Sequence, residues 1–151
     1  SKLNVNEKLN FSLNYTLTDS YSGMDCDKPN KDAWGYNSCV DSNNGIIDNA
    51  IVRVPLHAIK SNFNYRFNKK MNTRLSFTYN GQTRDYGGTD QDFKDQLLDE
   101  YFLVDLEGSY KLSNDYNFYF SLNNLFDKGY ENSFKYTGQP RTVNIGLKNK
   151  F

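Results

Sequence analysis

The chain contains no run approaching the roughly 18 consecutive apolar residues of a membrane-crossing helix. Neither sign of charge is in surplus, because 18 Lys and Arg balance 18 Asp and Glu. Nucleic acid is therefore not the expected partner, since a phosphate-binding surface needs an excess of basic groups. Hydrophobic residues make up only 37% of the chain, fewer than a soluble core of this length usually draws on. His57 is the single histidine, and one histidine cannot make a metal site without partners from loops. There is no nucleophile elbow, no phosphate loop and no His/Cys/Asp cluster, so no catalytic residue and no cofactor is expected. No signal peptide is visible and the chain opens on Ser1, which gives the expectation of a piece of a longer precursor.

Aromatic residues are abundant: 12 Tyr and 11 Phe. They fall on a period of two. Leu9, Phe11, Leu13, Tyr15 and Leu17 alternate with Asn10, Ser12, Asn14, Thr16 and Thr18. The same alternation runs through Ile59 to Phe67, Leu75 to Asn80, Phe102 to Leu112, Tyr116 to Asn123, and Thr142 to Phe151. Repetition of one apolar and one polar face predicts about six amphipathic strands, with part of another ending near Val5. Their expected length, about 10–15 residues, exceeds the usual soluble strand and suffices for a tilted strand to cross a bilayer. In hydrocarbon every backbone N–H and C=O must be paired internally, so such strands must belong to a closed sheet. Low mean hydropathy with many Tyr and Phe is what a barrel with a lipid face, a wet interior and aromatic girdles requires.

The connections alternate in length. Asn6-Glu7-Lys8, Asn68 to Asn72 and Ser113-Asn114-Asp115 are tight polar turns, whereas about 23–50, 85–99 and 127–139 are long. Short turns at one end and long loops at the other are the pattern of outer-membrane barrels, with the turns periplasmic and the loops extracellular. The fold class expected is all-β, an antiparallel transmembrane β-barrel of which this chain supplies only a part, because single-chain barrels have at least about eight strands.

The last residue is Phe151, preceded at even offsets by Leu147, Ile145 and Val143. A terminal aromatic behind alternating apolar residues resembles the signal read by the barrel-assembly machinery, with Asn149 departing from the pattern. Such recognition works by strand addition, alternate side chains conferring selectivity.

Three stretches resemble the TonB-dependent receptors, particularly the vitamin B12 and siderophore group. They are Arg53-Val54-Pro55-Leu56-His57, then Val104-Asp105-Leu106 followed by Tyr110, and Asn123-Asn124-Leu125-Phe126-Asp127-Lys128-Gly129-Tyr130 with Pro140-Arg141 before the final strand. The resemblance covers roughly the last two-thirds of the chain, while residues 1–50 agree only in strand pattern. It implies a 22-stranded barrel with a plugged lumen. Residues 1–151 would be the C-terminal part of that barrel, supplying its last six strands and part of a seventh, with the plug domain outside this chain. It further implies a monomeric receptor in the bacterial outer membrane that imports a scarce nutrient, of the iron-siderophore, haem or corrinoid class. Its partners would be outer-membrane lipid, the assembly machinery, its own plug and, through the plug, TonB. A passive porin-type barrel or a soluble all-β binding module are the alternatives.

Several loop residues are candidates for contact with a small molecule. Cys26 and Cys39 suit no zinc motif; a disulfide in an oxidising compartment is the reading, against two unpaired thiols. Trp34 and Tyr36 in the same loop would either touch a ligand or pack the loop. Asp25, Asp27, Asp32, Asp41 and Asp48 are oxygen donors, but turn chemistry alone accounts for such residues without calcium. Arg84, Asp85, Tyr86, Gly87 and Gly88 in the second loop and Tyr130, Phe134, Tyr136 and Arg141 in the third are expected near the mouth, with Arg84, Tyr86 and Tyr136 the candidates for ligand contact. Asp105 and Glu107 share a face, and lining of the lumen is preferred over an acid/base pair.

Overall fold

A computed structural model of the chain describes residues 2–4, 6–18, 52–87 and 94–149. Among them there is no helix. Eleven strands form in chain order: β1 (Lys2–Asn4), β2 (Leu9–Leu17), β3 (His57–Arg66), β4 (Met71–Asn80), β5 (Thr83–Gly87), β6 (Lys94–Leu98), β7 (Tyr101–Lys111), β8 (Tyr116–Asn123), β9 (Glu131–Ser133), β10 (Tyr136–Thr137) and β11 (Thr142–Asn149). One antiparallel sheet takes the order β1-β2-β3-β4-β7-β8-β11. β5 and β6 form one separate hairpin, β9 and β10 another.

The register carries the period of two from strand to strand. One row runs Phe11, Phe63, Leu75, Leu106, Leu122, Val143 across six strands, every member apolar. The row on the opposite face at nearly the same height runs Asn10, Asn64, Arg74, Glu107, Ser121, Asn144. Slipping any pair by one residue would set an apolar side chain into a polar row, so side-chain chemistry pins the register. The apolar side is uncovered: Phe102 and Ile145 are 47% and 70% exposed. Leu98 and Val104 alone among the described hydrophobic residues are buried. A water-soluble sandwich would cover that face with a second sheet.

Aromatic rings mark both ends of the apolar face. Tyr15, Tyr79 and Phe102 share the upper row, while Tyr65 and Tyr110 lie in the lower rows. From Phe102 to Tyr110 is eight steps along β7 (110 − 102). At about 3.4 Å per step and a tilt of about 40°, the rows stand about 20 Å apart, close to the apolar band of an outer-membrane barrel. Ring contacts tie the face together, Phe11 to Phe63 at 4.6 Å and Phe63 edge-on to Phe77 at 5.7 Å.

The three short turns use one device. Asn6 Oδ1 accepts from the amides of Lys8 and Leu9, each at 2.8 Å. Asn68 Oδ1 accepts from Lys70 and Met71 at 2.8 and 3.0 Å. Ser113 Oγ accepts from Asp115 and Tyr116, each at 3.2 Å. A short polar side chain thus satisfies two amides at the point where the ladder stops, which is why Asn and Ser recur there.

Two sequence expectations need correction. Of the six long sheet strands, β3, β4 and β7 have the expected 10–15 residues, but β2, β8 and β11 have only 8–9, because polar turns and loop bases take up their ends. The second long connection is a hairpin in its described part, Thr83 to Gly87 pairing with Leu98 to Lys94. Its Asp and Gly residues hide the alternation that marks the longer strands.

Candidate functional site

All three long connections leave the sheet at the same end, and buried polar side chains organise their bases. Asp85, on β5, is fully buried. Its Oδ1 accepts from Arg53 Nε at 2.9 Å and its Oδ2 from the Phe134 amide at 2.7 Å. The Arg53 amide also donates to the Arg84 carbonyl at 2.7 Å, with Arg53 in the left-handed region at φ 63°. One carboxylate thereby joins the segment entering β3, the β5–β6 hairpin and the β9–β10 turn. Burying a carboxylate is costly unless hydrogen bonds and a cation compensate, and both are present.

The second organiser is Asn124, 4% exposed. Its Nδ2 donates to the Lys128 and Gln139 carbonyls at 2.9 and 3.1 Å, and its Oδ1 accepts from the Lys128 amide at 2.9 Å. Its own amide donates to Asp105 Oδ1 at 2.8 Å. Asn124 and Asp127 have φ of 51° and 54°, a region that Asn and Asp tolerate better than other side chains. Asp127 Oδ1 then accepts from the Arg141 amide at 2.8 Å. The Asn-Leu-Phe-Asp-Lys stretch is thus a lock that ends β8 and aims the chain at β11. Tyr130 continues it: its ring lies over Gly138, where a Cβ would overlap it, and 4.4 Å from the Tyr101 ring.

Between the two hairpins lies a cleft of about 390 Å³. Leu98, Asp99 and Glu100 wall it on one side and Lys128, Tyr130 and Phe134 on the other. On the polar face of the sheet, Ser76 Oγ donates to Asn62 Oδ1 at 2.8 Å and Asn62 Nδ2 to Ser12 Oγ at 3.3 Å. Arg74 donates to Asn64 Oδ1 at 2.8 Å and reaches Glu107 at 3.5 Å. Asp105 and Glu107 are therefore engaged with different partners, one with a backbone amide and one with a guanidinium.

Of the residues singled out by sequence, Arg84 is buried on β5, 3% exposed. The backbone of Tyr86 pairs with Asp95 on the same hairpin. Tyr136 opens β10 and is 72% exposed. Val143, Ile145 and Leu147 project together from the apolar face of β11. Cys26, Cys39, Trp34, Tyr36, Phe151 and the Asp residues proposed for calcium lie outside the described residues. His57 opens β3 at the loop end of the sheet, its Nδ1 2.9 Å from the Tyr15 hydroxyl. Sequence reasoning did not single out Asp85 or Asn124 as organisers. Asn124 lies in the matched motif and Asp85 in the loop stretch expected at the mouth, but neither pattern signals the organising role.

No family model matches the chain and no curated protein matches it. Solved structures do. The closed form of the ferric-catecholate import receptor Fiu from Escherichia coli K12 aligns over 98% of this chain with a TM-score of 0.72 and 18% identity. The siderophore receptor PirA from Acinetobacter baumannii aligns over 96%, with a TM-score of 0.69 and 20% identity. The pyoverdine outer membrane receptor FpvA from Pseudomonas aeruginosa PAO1, bound to pyoverdine, aligns over 97%, with a TM-score of 0.65 and 16% identity. This chain covers 19%, 20% and 20% of those proteins respectively, about a fifth of their length. A sheet with one bare apolar face, one polar face and loops gathered at one end has the fold of part of the barrel wall of outer-membrane siderophore receptors.

Proposed function

We propose that residues 1–151 are the C-terminal part of the barrel of an energy-coupled outer-membrane receptor that imports a ferric siderophore. The observation that carries this reading is the two-faced sheet, bare on its apolar side and organised at its loop end, in the fold of receptors for ferric catecholates and pyoverdine. Those relatives favour a siderophore over haem or a corrinoid. In this reading lipid covers the row from Phe11 to Val143, and the loop bases held by Asp85 and Asn124 frame the mouth. Trp34, Tyr36, Arg84, Tyr86 and Tyr136 belong to that mouth, with a Cys26–Cys39 disulfide bracing the first loop. Val143, Ile145, Leu147 and Phe151 serve as the signal for the assembly machinery. A plug in the rest of the longer protein fills the monomeric barrel and transmits energy from TonB.

Radio-iron uptake tests the assignment. Cells lacking the full-length protein should lose uptake of iron from one ferric chelate, and an uncoupler of the inner membrane should abolish the same uptake in the parent. Unchanged uptake across catecholate and hydroxamate chelates, with passive solute conductance in planar bilayers, would refute it in favour of a porin.

A further inference from the structure

The polar face is not uniform along the barrel axis. Its three rows nearest the short turns carry Lys8, Arg66, Arg74, Lys111 and Lys148 against Glu107 alone, five cations and one carboxylate, a net of +4. The rows nearer the loops carry Lys2 and Lys60 against Asp105, a net of only +1. The turns beneath add Lys69 and Lys70 against Glu7 and Asp115, which cancel. The excess is therefore a band at the turn end.

Within the band the cations lie side by side. The Arg66 amide donates to the Lys8 carbonyl at 2.8 Å, which makes these two residues neighbours across the β2–β3 edge. Lys111 and Lys148 flank Asn117 from its two sides. Glu107 already faces Arg74. Among the described residues none of Lys8, Arg66, Lys111 and Lys148 has a carboxylate within ion-pair range. Like charges on adjacent strands oppose the sheet unless a countercharge meets them. Lys8, Arg66 and Arg74 also line a hollow of about 650 Å³ that crosses five strands, with Asn10, Asn64 and Ser121 offering hydrogen bonds between them. A lipid headgroup does not reach this face, because the apolar side is the one turned to hydrocarbon. A small anion would meet one or two cations and leave the rest of the hollow unfilled.

We propose that this basic band is the docking surface for an acidic polypeptide segment held inside the barrel, with Asp or Glu side chains set against Lys8, Arg66 and Lys148. The inference rests on the plugged-barrel reading and adds to it the sign and place of the contact. The test is zero-length carbodiimide coupling of the full-length protein in outer-membrane vesicles, read by peptide mass spectrometry, beside a photo-crosslinker at Asn62 on the neutral row. The expected result is isopeptide bonds from Lys8 and Lys148 to carboxylates in a segment N-terminal to the barrel. Arg66→Glu should lower their yield about fivefold, the effect of losing roughly 1 kcal/mol of attraction. Capture of that segment at Asn62 with Lys8 and Lys148 uncoupled would overturn the proposal while sparing the plugged barrel. No capture at either place would overturn both.

Discussion

Replacing Asn124 separates two physical terms in the lock that ends β8. Its side chain makes three hydrogen bonds inside a nearly sealed turn. At about 1 kcal/mol net for each, Asn124→Gly should cost about 3 kcal/mol of local stability. Asn124→Ala loses the same bonds and must also hold a Cβ at φ 51°, which adds about 1 kcal/mol. Asn124→Asp keeps the acceptor but turns an oxygen toward the Lys128 and Gln139 carbonyls in place of a donor. The readout is the Arg141 amide, which bonds Asp127 and does not touch Asn124. Lys128 is a poor reporter because it loses its acceptor directly. Since 1.4 kcal/mol is one decade, hydrogen-exchange protection at Arg141 should fall about a hundredfold in Asn124→Gly and further in Asn124→Ala. Equal protection in wild type and Asn124→Ala would refute the lock, and Ala equal to Gly would refute the backbone term.

Gly146 faces the Tyr119 ring so closely that any Cβ would overlap it; Gly146→Val should reduce assembly of the full-length barrel on heat-modifiability gels, and Tyr119→Ala should restore it. Leu75→Arg places a charge on the mid-height apolar row and should cost about 2–4 kcal/mol in urea unfolding from lipid vesicles, whereas Ser76→Arg on the polar side should cost little. Asp85→Ala removes the acceptor shared by Arg53 and the Phe134 amide. It should loosen both hairpins by about 2 kcal/mol, seen as faster protease cleavage near Phe134 with the barrel intact.

The sheet was legible because its rule is local. Leu9 to Leu17 alternates without a break, and alternation together with Asn6, Asn68 and Ser113 at the ends placed β2, β3, β4, β7, β8 and β11 within a few residues. The loop end was not legible for the opposite reason. Asp85 is a polar residue in a polar stretch, and only its distance from Arg53 and Phe134 in space, 32 and 49 positions away in sequence, sets its role. The aromatic covers on Gly108 and Gly146 likewise depend on the register between strands, with Phe120 over the first and Tyr119 over the second. The matched motif around Asn124 pointed to a place without giving the mechanism, which the geometry supplies.

Single reporter side chains at Phe77, Phe120 and Ile145, paired with reporters at Ser76, Ser121 and Asn144, in the full-length protein reconstituted with bromine-labelled lipid chains, examine the division of the sheet into two faces. Quenching of the first three and not of their neighbours is the predicted pattern. Equal quenching at both sets, or protection of Phe77, Phe120 and Ile145 from lipid, would contradict it.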